Sequence, residues 1–363
     1  MLHAGLLLLG TVAMAAAPAD PSGPLPTPAD VMRLHFIDVG QGAATLVELP
    51  CGAMLIDAGG EDGGEFHSND RLAAYLAAFF ARRTDLSNRL DVLLLTHPHI
   101  DHVRGALPTL EAYTVGAFVD NGQTPVQEDA ALAMVAVRAW LDAHPTVPTL
   151  VVTTDDLPAD GAPLRHPSLD PFGVCRGVDP AVGVLWGHAP HDPGWGEDDY
   201  NKARYDNENN HSVVTRIDFG AASVLITGDL EEVAIRDLVS SPAAAALDVD
   251  IYVVGHHGSH NGTTRDLLAA MTPAWAVLQM GPAARHGAWT AWQYGHPRQP
   301  TIALLAEEVS SPREPVTHLV GIGVKRFADT IIDDAIYATG WDGTVVIEAD
   351  AAGIIRLGAP DVR

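Results

Sequence analysis

Residues 96–102 contain a cluster of side chains that commonly bind metal ions. The stretch reads Thr-His-Pro-His-Ile-Asp-His, and it directly follows a run of apolar residues that is typical of a buried strand. In extended backbone, side chains two residues apart point to the same side, so His97 and His99 could share one ion. Asp101 and His102 follow on the turn and could face a second ion. A merely solvated polar loop is the weaker interpretation of three histidines and an aspartate in this order.

Similar side chains recur where other predicted strands end. Asp57, Asp229, His256 and His257 each follow such a strand. An aspartate at a strand end either forms a turn or holds a metal ligand in orientation. We favour the orienting role for Asp57 and a turn for Asp38. If these strand ends converge at one edge of the sheets, the side chains would form a binuclear site there.

Composition and charge limit the classes of function. The chain has 363 residues, of which 47% are hydrophobic and 18% charged, so it can bury a sizeable core and is not disordered throughout. Its net charge is −25 at pH 7, whereas a protein that coats nucleic acid needs a basic surface. The charge therefore disfavours long nucleic acid as the substrate and favours small or short phosphate-containing substrates.

The first residues of the chain predict export. Residues 1–17 combine an apolar run with small residues typical of a signal-peptide cleavage site, although no Lys or Arg precedes the run. The run is too short to span a membrane comfortably, so we predict a periplasmic or secreted protein without stable membrane insertion. Residues 18–30 predict a linker, and residues 31–358 a single domain. The sequence does not indicate the oligomeric state.

The sequence leaves alternatives open for a pair of cysteines and for one loop. Cys51 and Cys175 are the only cysteines, and in an exported protein they either form a disulfide or remain isolated thiols. The loop 187–210 has no hydrophobic periodicity and precedes a predicted ligand-bearing strand. We favour a lid over the site, and the alternative is an acidic insertion without a role.

Hydrophobic periodicity predicts a mixed α/β (α+β) chain in which strands and helices alternate. The predicted strands are 34–39, 44–49, 53–57, 91–95, 115–119, 149–153, 182–186, 212–219, 223–226, 251–254, 274–280, 331–338, 343–348 and 353–357. The predicted helices are 69–83, 105–113, 127–144, 230–239, 264–271 and 294–306. In helix 127–144 we expect Leu132, Val135, Ala139 and Leu141 to form the apolar face. The Pro-containing stretch before residue 331 predicts irregular structure.

Several motifs in order resemble a known family. The His-x-His-x-Asp-His stretch, with Asp57 before it and Asp229 and His256 after it, is similar to the metallo-β-lactamase fold. Within that fold, the chain resembles the extracellular hydrolase domain of ComEC-type DNA-uptake proteins from about residue 34 to residue 306. The matching segments are 38–42, 96–99, 210–214, 225–229, 255–259 and 294–297. The resemblance implies a four-layer αββα sandwich. The chain departs from the family at Ala43, where an acid is usual, and it has no multispan channel, so DNA uptake itself does not transfer.

The resemblance also implies roles for individual residues. His97 and His99 would bind the first metal, Asp101 and His102 the second, and Asp229 would bridge them. His256 would complete the second site, with His257 as the alternative. The family often lacks a third histidine in the first site. We predict His211 for that role. The alternative is that His211 is a surface residue at the start of a strand. His296 would contact the substrate or a metal, or cap a helix.

These ligands predict a hydrolase. Mixed His and Asp sites suit two zinc ions, with manganese or iron as alternatives. Water between two such ions has its pKa lowered from ~15.7 toward ~7, which supplies hydroxide at neutral pH. We favour cleavage of a phosphodiester in a nucleic acid, a nucleotide or a phosphorylated envelope component. Cleavage of a carboxylic bond, as in a β-lactam or lactone, is the alternative, and a non-catalytic binding protein is a third hypothesis.

Overall fold

Two β-sheets form the centre of the molecule. The computed structural model describes residues 30–175, 177–191 and 205–361. In chain order the strands are β1 (Val31–Phe36), β2 (Thr45–Leu49), β3 (Gly52–Ile56), β4 (Asp62–Gly63), β5 (Phe66–His67), β6 (Arg89–Leu90), β7 (Val92–Leu94), β8 (Thr114–Val115), β9 (Phe118–Asp120), β10 (Thr149–Val151), β11 (Ala181–Trp186), β12 (Val214–Phe219), β13 (Ala222–Ile226), β14 (Ile251–Val253), β15 (Trp275–Leu278), β16 (Pro312–Gly323), β17 (Arg326–Asp334), β18 (Ile336–Ala338), β19 (Val345–Asp350) and β20 (Ile355–Leu357). The larger sheet has the order β10-β9-β7-β3-β2-β1-β19-β20, and the smaller one β11-β12-β13-β14-β15-β18.

Helices occupy the connections between the strands. In chain order they are α1 (Ser68–Arg82), α2 (Ile100–Val103), α3 (Ala106–Ala112), α4 (Glu128–Ala143), α5 (Glu232–Ser240), α6 (Arg265–Met271), α7 (Ala291–Tyr294), α8 (Gln299–Glu308) and α9 (Thr339–Asp342). Short 3-10 helices span Thr84–Leu86, Thr154–Asp156, Glu208–His211, Pro242–Ala246 and Gly255–Gly258. Among the residues with described coordinates, no helix combines the length and apolar character needed to cross a membrane.

Alternation along the strands of the larger sheet divides the core in two. In β3, Met54 and Ile56 pack in the cluster that includes the smaller sheet, whereas Ala53 and Leu55 pack in the cluster that includes α1, α3 and α4. Successive side chains of a strand point to opposite faces, so the sheet is buried on both sides. Apolar residues of α5, α6 and α8 join the inter-sheet cluster from the far side of the smaller sheet. The layers are therefore helix, sheet, sheet, helix, which confirms the predicted αββα sandwich.

Parallel strands of both sheets bring the candidate ligands to one edge. In the larger sheet β3, β7 and β9 are parallel neighbours, and in the smaller sheet β13, β14, β15 and β18 are. The carboxyl ends of parallel strands meet at the same edge of a sheet. A backbone hydrogen bond from Val213 N to Thr96 O, 2.8 Å long, joins the loop after β7 to the start of β12 in the other sheet.

A buried group of charges links β2 to the end of α1. Glu48 is 2% exposed and accepts hydrogen bonds from Arg82 and Arg83, each 2.7 Å long. Its carboxylate also lies 3.1 Å from His35 Nε2 and 3.6 Å from Arg33 Nη1. Burial acts to raise the pKa of Glu48, but the hydrogen bonds from Arg82 and His35 and their charges outweigh it. The pKa of this carboxyl therefore lies well below its usual range.

A disulfide joins Cys51, which follows β2, to Cys175, 124 residues later. The alternative of two isolated thiols is therefore wrong. Because the crosslink closes a long loop, it restricts the unfolded chain strongly.

The structure corrects several predicted elements. Helix α4 buries Ala130, Met134, Val137 and Leu141, whereas Leu132 and Val135 are 65% and 64% exposed, so the predicted apolar face was partly wrong. Met134 packs against apolar residues of the larger sheet, and this contact determines which face of α4 is buried. The stretch predicted as irregular forms the long hairpin β16–β17. The predicted strand 115–119 is interrupted at residues 116 and 117.

Two predicted segments fall wholly or partly outside the described residues. The signal peptide 1–17 and the linker 18–30 lie there, except for Asp30. Of the predicted lid 187–210, residues 192–204 lie there as well. The described end of this loop contributes buried residues, among them Tyr205 and the 3-10 helix Glu208–His211, and that end does not form an exposed lid.

Replacing Glu48 tests the buried charge group. Because the pKa of Glu48 is lowered in the folded state, its contribution is complete above the unfolded value of about 4.5 and disappears as the pH falls through the folded value. We expect Glu48→Gln to lower the free energy of unfolding by about 3 kcal/mol at pH 7. The deficit relative to wild type, measured by urea unfolding, should shrink below pH 4. A deficit that is the same at pH 3 and pH 7 would contradict this.

Reduction tests the crosslink. The entropy model for a loop of this length gives a stabilisation of roughly 5 kcal/mol as an upper value, so Cys51→Ser with Cys175→Ser should lower the Tm clearly. Dithiothreitol should lower the Tm of the wild type and leave that of the double variant unchanged. If dithiothreitol changes the Tm of both proteins equally, the disulfide is not the cause of the difference in Tm between them.

Candidate metal centre

Four of the predicted ligands converge at the edge where the two sheets meet. Asp101, His102, Asp229 and His257 each offer a ligand atom, and these atoms all lie within 4.8 Å of one another. His257 Nε2 lies 3.2 Å from Asp101 Oδ2 and 3.2 Å from Asp229 Oδ2, while His102 Nε2 lies 3.2 Å from Asp229 Oδ1. Asp101 and His102 lie in α2, which follows β7 of the larger sheet. Asp229 and His257 follow β13 and β14 of the smaller sheet. Oxygen and imidazole donors at these separations fit a divalent cation.

Asp57 holds one of these ligands in orientation. Its carboxylate accepts a 2.7 Å hydrogen bond from His102 Nδ1, and it also accepts bonds from the backbone N and the hydroxyl of Thr96. With Nδ1 donating to Asp57, the Nε2 of His102 is held facing Asp229 Oδ1. Asp57 has a φ of 58°, in the left-handed region, and it is 2% exposed. Asp38, by contrast, accepts from the N–H of Gly40 in a turn, as predicted.

His97 and His99 present a second pair of nitrogens beside the first group. His97 Nε2 lies 3.2 Å from His99 Nδ1 and 3.9 Å from Asp229 Oδ2. The other ring nitrogen of His99 lies 2.9 Å from Glu208 Oε2, and Glu208 also accepts a hydrogen bond from Val126 N. Glu208 therefore fixes the ring so that Nδ1 faces His97. These two nitrogens and Asp229 could hold a second ion.

The pair His256 and His257 lies in strained backbone. Their φ angles are 50° and 53°, in the left-handed region, which costs roughly 1–2 kcal/mol per residue for side chains with a Cβ. His257 completes the group around Asp229, and its Nδ1 donates to Gln279 O at 2.7 Å. His256 contacts Asn261 Oδ1 at 3.2 Å, and its Nε2 is 3.9 Å from Asp229. The preference for His256 in the second site is thus corrected in favour of His257.

Opposite charges compensate one another among the side chains of the centre. Burial opposes the charge on His257, but the carboxylates of Asp229 and Asp101 raise its pKa to about 10. Burial favours neutral Asp229, yet the charges of His257 and His102 hold its pKa well below the usual range. His97 differs, because burial and the neighbouring imidazoles lower its pKa. Ligand nitrogens must be free of protons, so metal binding at this site releases protons.

His211 does not join the centre. Its Nδ1 accepts a 2.9 Å hydrogen bond from Ala189 N, and its Nε2 donates to Tyr205 O at 2.6 Å. Burial is the main cause that lowers the pKa of His211 to about 4, which keeps the ring neutral. With both ring nitrogens bound to backbone, neither is left for a metal. The prediction that His211 is a ligand is therefore corrected, since the residue holds the loop before β12.

His296 lies in the same cleft, outside the ligand group. Its ring is stacked at 6.3 Å from that of His257, and Gln41 Nε2 donates to its Nδ1 at 3.3 Å. Burial, with the charges of His257 and His256, holds the pKa of His296 well below its usual value. A neutral ring that accepts at Nδ1 carries its proton at Nε2. The cleft has a volume of about 1060 Å³ and also contains Asp101, Asp229 and His256.

Sequence reasoning missed several residues of the centre. Thr96 and Gln41 were inside the quoted motifs but received no role. Glu208 lies in a loop without hydrophobic periodicity. The one feature of the sequence that could have pointed to it is an acidic side chain shortly before a predicted ligand-bearing strand. Glycine also matters here, since a Cβ on Gly59 would lie 1.7 Å from the carbonyl oxygen of Asp101.

Comparison with known proteins agrees with this architecture. Residues 37–197 match the model described as "Metallo-beta-lactamase superfamily". The chain carries the metallo-beta-lactamase fold. Together with the ligand cluster, this match to part of the chain confirms the prediction of a metal-dependent hydrolase. The metallo-beta-lactamase fold protein YhfI from Bacillus subtilis superposes with a TM-score of 0.44 at 12% identity, over 91% of this chain and 100% of that chain.

The similar curated proteins carry competence and recombination names. Recombination protein 2 of Haemophilus influenzae is 25% identical over 73% of this chain and 25% of its own length. ComE operon protein 3 of Bacillus subtilis is 25% identical over 75% of this chain and 30% of its own. Competence protein ComA of Neisseria gonorrhoeae is 32% identical over 28% of this chain and 15% of its own. The resemblance to ComEC-type proteins is confirmed, and the chain spans less than a third of the length of these relatives.

Metal content tests the correction of the ligand set. We expect His257→Ala to lose bound metal, because His257 lies within hydrogen-bond distance of both carboxylates. His211→Asn should keep the metal content of the wild type and lower the Tm, because His211 only bonds to backbone. The measurement is metal per chain by inductively coupled plasma mass spectrometry after dialysis, with circular dichroism to check folding. Loss of metal from a folded His211→Asn protein would restore His211 as a ligand.

Proposed function

We propose that the chain is an exported, binuclear metal-dependent phosphodiesterase that acts on a nucleic acid, a nucleotide or a phosphorylated envelope component. The observation that carries this proposal is the convergence of Asp101, His102, Asp229 and His257 within 4.8 Å, beside the nitrogens of His97 and His99. Zinc suits this mixture of imidazole and carboxylate donors, with manganese or iron as alternatives. The names of the relatives, which refer to recombination and competence, favour a nucleic acid among these substrates.

The side chains of the chain divide the work of hydrolysis. Two divalent cations held by these side chains would supply Lewis acidity and make water a better nucleophile at neutral pH. Asp229 lies between the two groups of imidazoles, so it would help to hold the ions. Asp57 is a positioning residue, because its carboxylate reaches the centre only through His102. Glu208 acts in the same way on His99.

His296 is suited to contact the substrate. Its low pKa keeps the ring neutral at pH 7, and the hydrogen bond from Gln41 at Nδ1 leaves an N–H at Nε2 as a donor. A donor that is already fixed in place can stabilise charge that builds up on a phosphoryl oxygen in the transition state. The neutral ring does this without adding another full charge beside the cations.

Export is supported by the chemistry of the cysteines as well as by the start of the sequence. The Cys51–Cys175 disulfide is of the kind that persists in oxidising compartments such as the periplasm. The apolar segment within residues 1–17 has the composition of a signal peptide.

Hydrolysis of two model substrates tests the proposed reaction. We expect the metal-loaded protein to cleave bis-p-nitrophenyl phosphate and not nitrocefin. Asp101→Ala should lower kcat/KM by about 10²–10³-fold, which is the scale for removing one electrostatic stabiliser from a site. Asp266→Ala, which changes an exposed carboxylate on α6, is the matched control and should retain wild-type activity.

The outcomes of this assay separate the hypotheses. Cleavage of nitrocefin without cleavage of the phosphodiester would replace the proposal by hydrolysis of a carboxylic bond. A folded, metal-loaded protein that cleaves neither would argue for a binding protein.

A further inference from the structure

Two of the three cations that lack a carboxylate partner in the described part of the chain line the metal cleft. Acidic residues outnumber Lys and Arg by 46 to 21, so a partner is available almost everywhere. Within the described residues, all the other arginines form ion pairs with Asp or Glu. Arg298, Lys325 and Arg326 are the exceptions in this part of the chain. Arg298 and Lys325 line the cleft, and Arg326 is the next residue on the same hairpin.

Arg298 is held beside the metal ligands with its side chain uncommitted. Its backbone N–H donates to Gly258 O at 2.8 Å, directly after the histidine pair, and it follows His296 by two residues. The Nε of Arg298 is buried and has no hydrogen-bond partner in the described structure. A guanidinium that lines a cleft and has no carboxylate partner among the described residues is available to an anion that enters the cleft.

The β16–β17 hairpin is fixed, near its turn, against the segment that carries Arg298. Gly321 N donates to Pro297 O at 2.8 Å, and a Cβ on Gly321 would lie 1.8 Å from Gly295 O, so the contact is tight. Lys325, in the turn, has a φ of 58°, and its Nζ lies 5.0 Å from the centre of the Trp292 ring. The turn therefore presents Lys325 at a defined place along the cleft, next to the segment that carries Arg298.

We propose that Arg298, with Lys325 and Arg326, binds a second phosphate of the substrate, adjacent to the one that is cleaved. This inference rests on the proposed phosphodiesterase function and narrows its substrate class to a chain of phosphodiesters. A guanidinium binds two phosphate oxygens at once, and lysine adds a point charge. The acidic exterior lowers the affinity for polyanions in general, so these cations select chains that enter the cleft.

Binding of two ligands that differ by one phosphate tests the subsite. The probes are a dinucleoside monophosphate and a trinucleoside diphosphate, called the trinucleotide below. Both carry non-hydrolysable phosphorothioate linkages and a fluorescent label, and their binding to the metal-loaded protein is followed by anisotropy. For the wild type we expect the trinucleotide to bind about tenfold more tightly, the gain of one charge-assisted contact. Arg298→Gln, and separately Lys325→Gln with Arg326→Gln, should reduce that gain. The slope of log Kd against log salt for the trinucleotide should fall by about 0.7 in Arg298→Gln.

The matched control is Arg265→Gln, which removes an exposed, ion-paired arginine on α6 and should leave the gain and the slope unchanged. The proposal is overturned if Arg298→Gln retains the wild-type gain, or if it weakens both probes equally, because the contact would then be at the cleaved phosphate. Cleavage of bis-p-nitrophenyl phosphate by the wild type is measured in parallel. Its absence would reject the phosphodiesterase function, whereas the binding gain would still report on the subsite.

A third probe identifies the source of the phosphate chain. Trp289 lines the cleft and is 63% exposed, so its ring is accessible to a ligand. An abasic trinucleotide carries the same phosphates without rings to stack. Equal affinity for the abasic probe supports a subsite for phosphate polymers of any kind. If the wild type binds the abasic probe more weakly than the trinucleotide, and Trp289→Ala weakens binding of the trinucleotide by the same factor, the result supports a single-stranded nucleic acid. The reason is that exposed aromatic rings stack on bases.

Discussion

The carboxylate of Asp57 is the constraint on which the metal centre depends. It accepts hydrogen bonds from Thr96 N and from His102 Nδ1, so it ties the end of β3 to the loop after β7 and to α2. Its own backbone is in the left-handed region, which an isolated chain would avoid. The surrounding sheet holds that conformation, and the energy stored there is offset by the contacts that orient the ligand. Without Asp57, His102 would have no fixed tautomer or direction.

The site also requires both sheets at once. His97, Asp101 and His102 follow β7 of the larger sheet, whereas Asp229 and His257 follow strands of the smaller one. The inter-sheet cluster of apolar residues, with the hydrogen bond between Val213 and Thr96, keeps the two edges in register. A binuclear centre in this fold is therefore a product of sheet packing, and any loosening of the core would separate the two halves of the ligand set.

Charge is distributed unevenly in a way that suits this chemistry. The chain carries 46 acidic and 21 basic side chains, yet most of the basic side chains form ion pairs away from the metal centre, as around Glu48. The carboxylates and imidazoles of the centre compensate one another, and the uncommitted cations lie next to them. Carboxylates such as Glu61 and Glu128 line the cleft as well, so binding of an anion there would depend on the metal ions together with these basic side chains.

Local sequence determined the strands that carry the ligands and the motif around His97, because hydrophobic alternation and ligand spacing are short-range properties. The four layers were implied by the family resemblance that these motifs carry. Local sequence also singled out Asp57, whose position at a strand end signals an orienting role. Tertiary structure alone decided between His256 and His257, removed His211, paired the cysteines and turned α4 so that Leu132 faces solvent. Each of these depends on which atoms lie opposite a side chain across the fold, and residues far apart in the chain supply those atoms. Glu208 and Arg298 became visible for the same reason, since a carboxylate or guanidinium acquires meaning only from its neighbours in space.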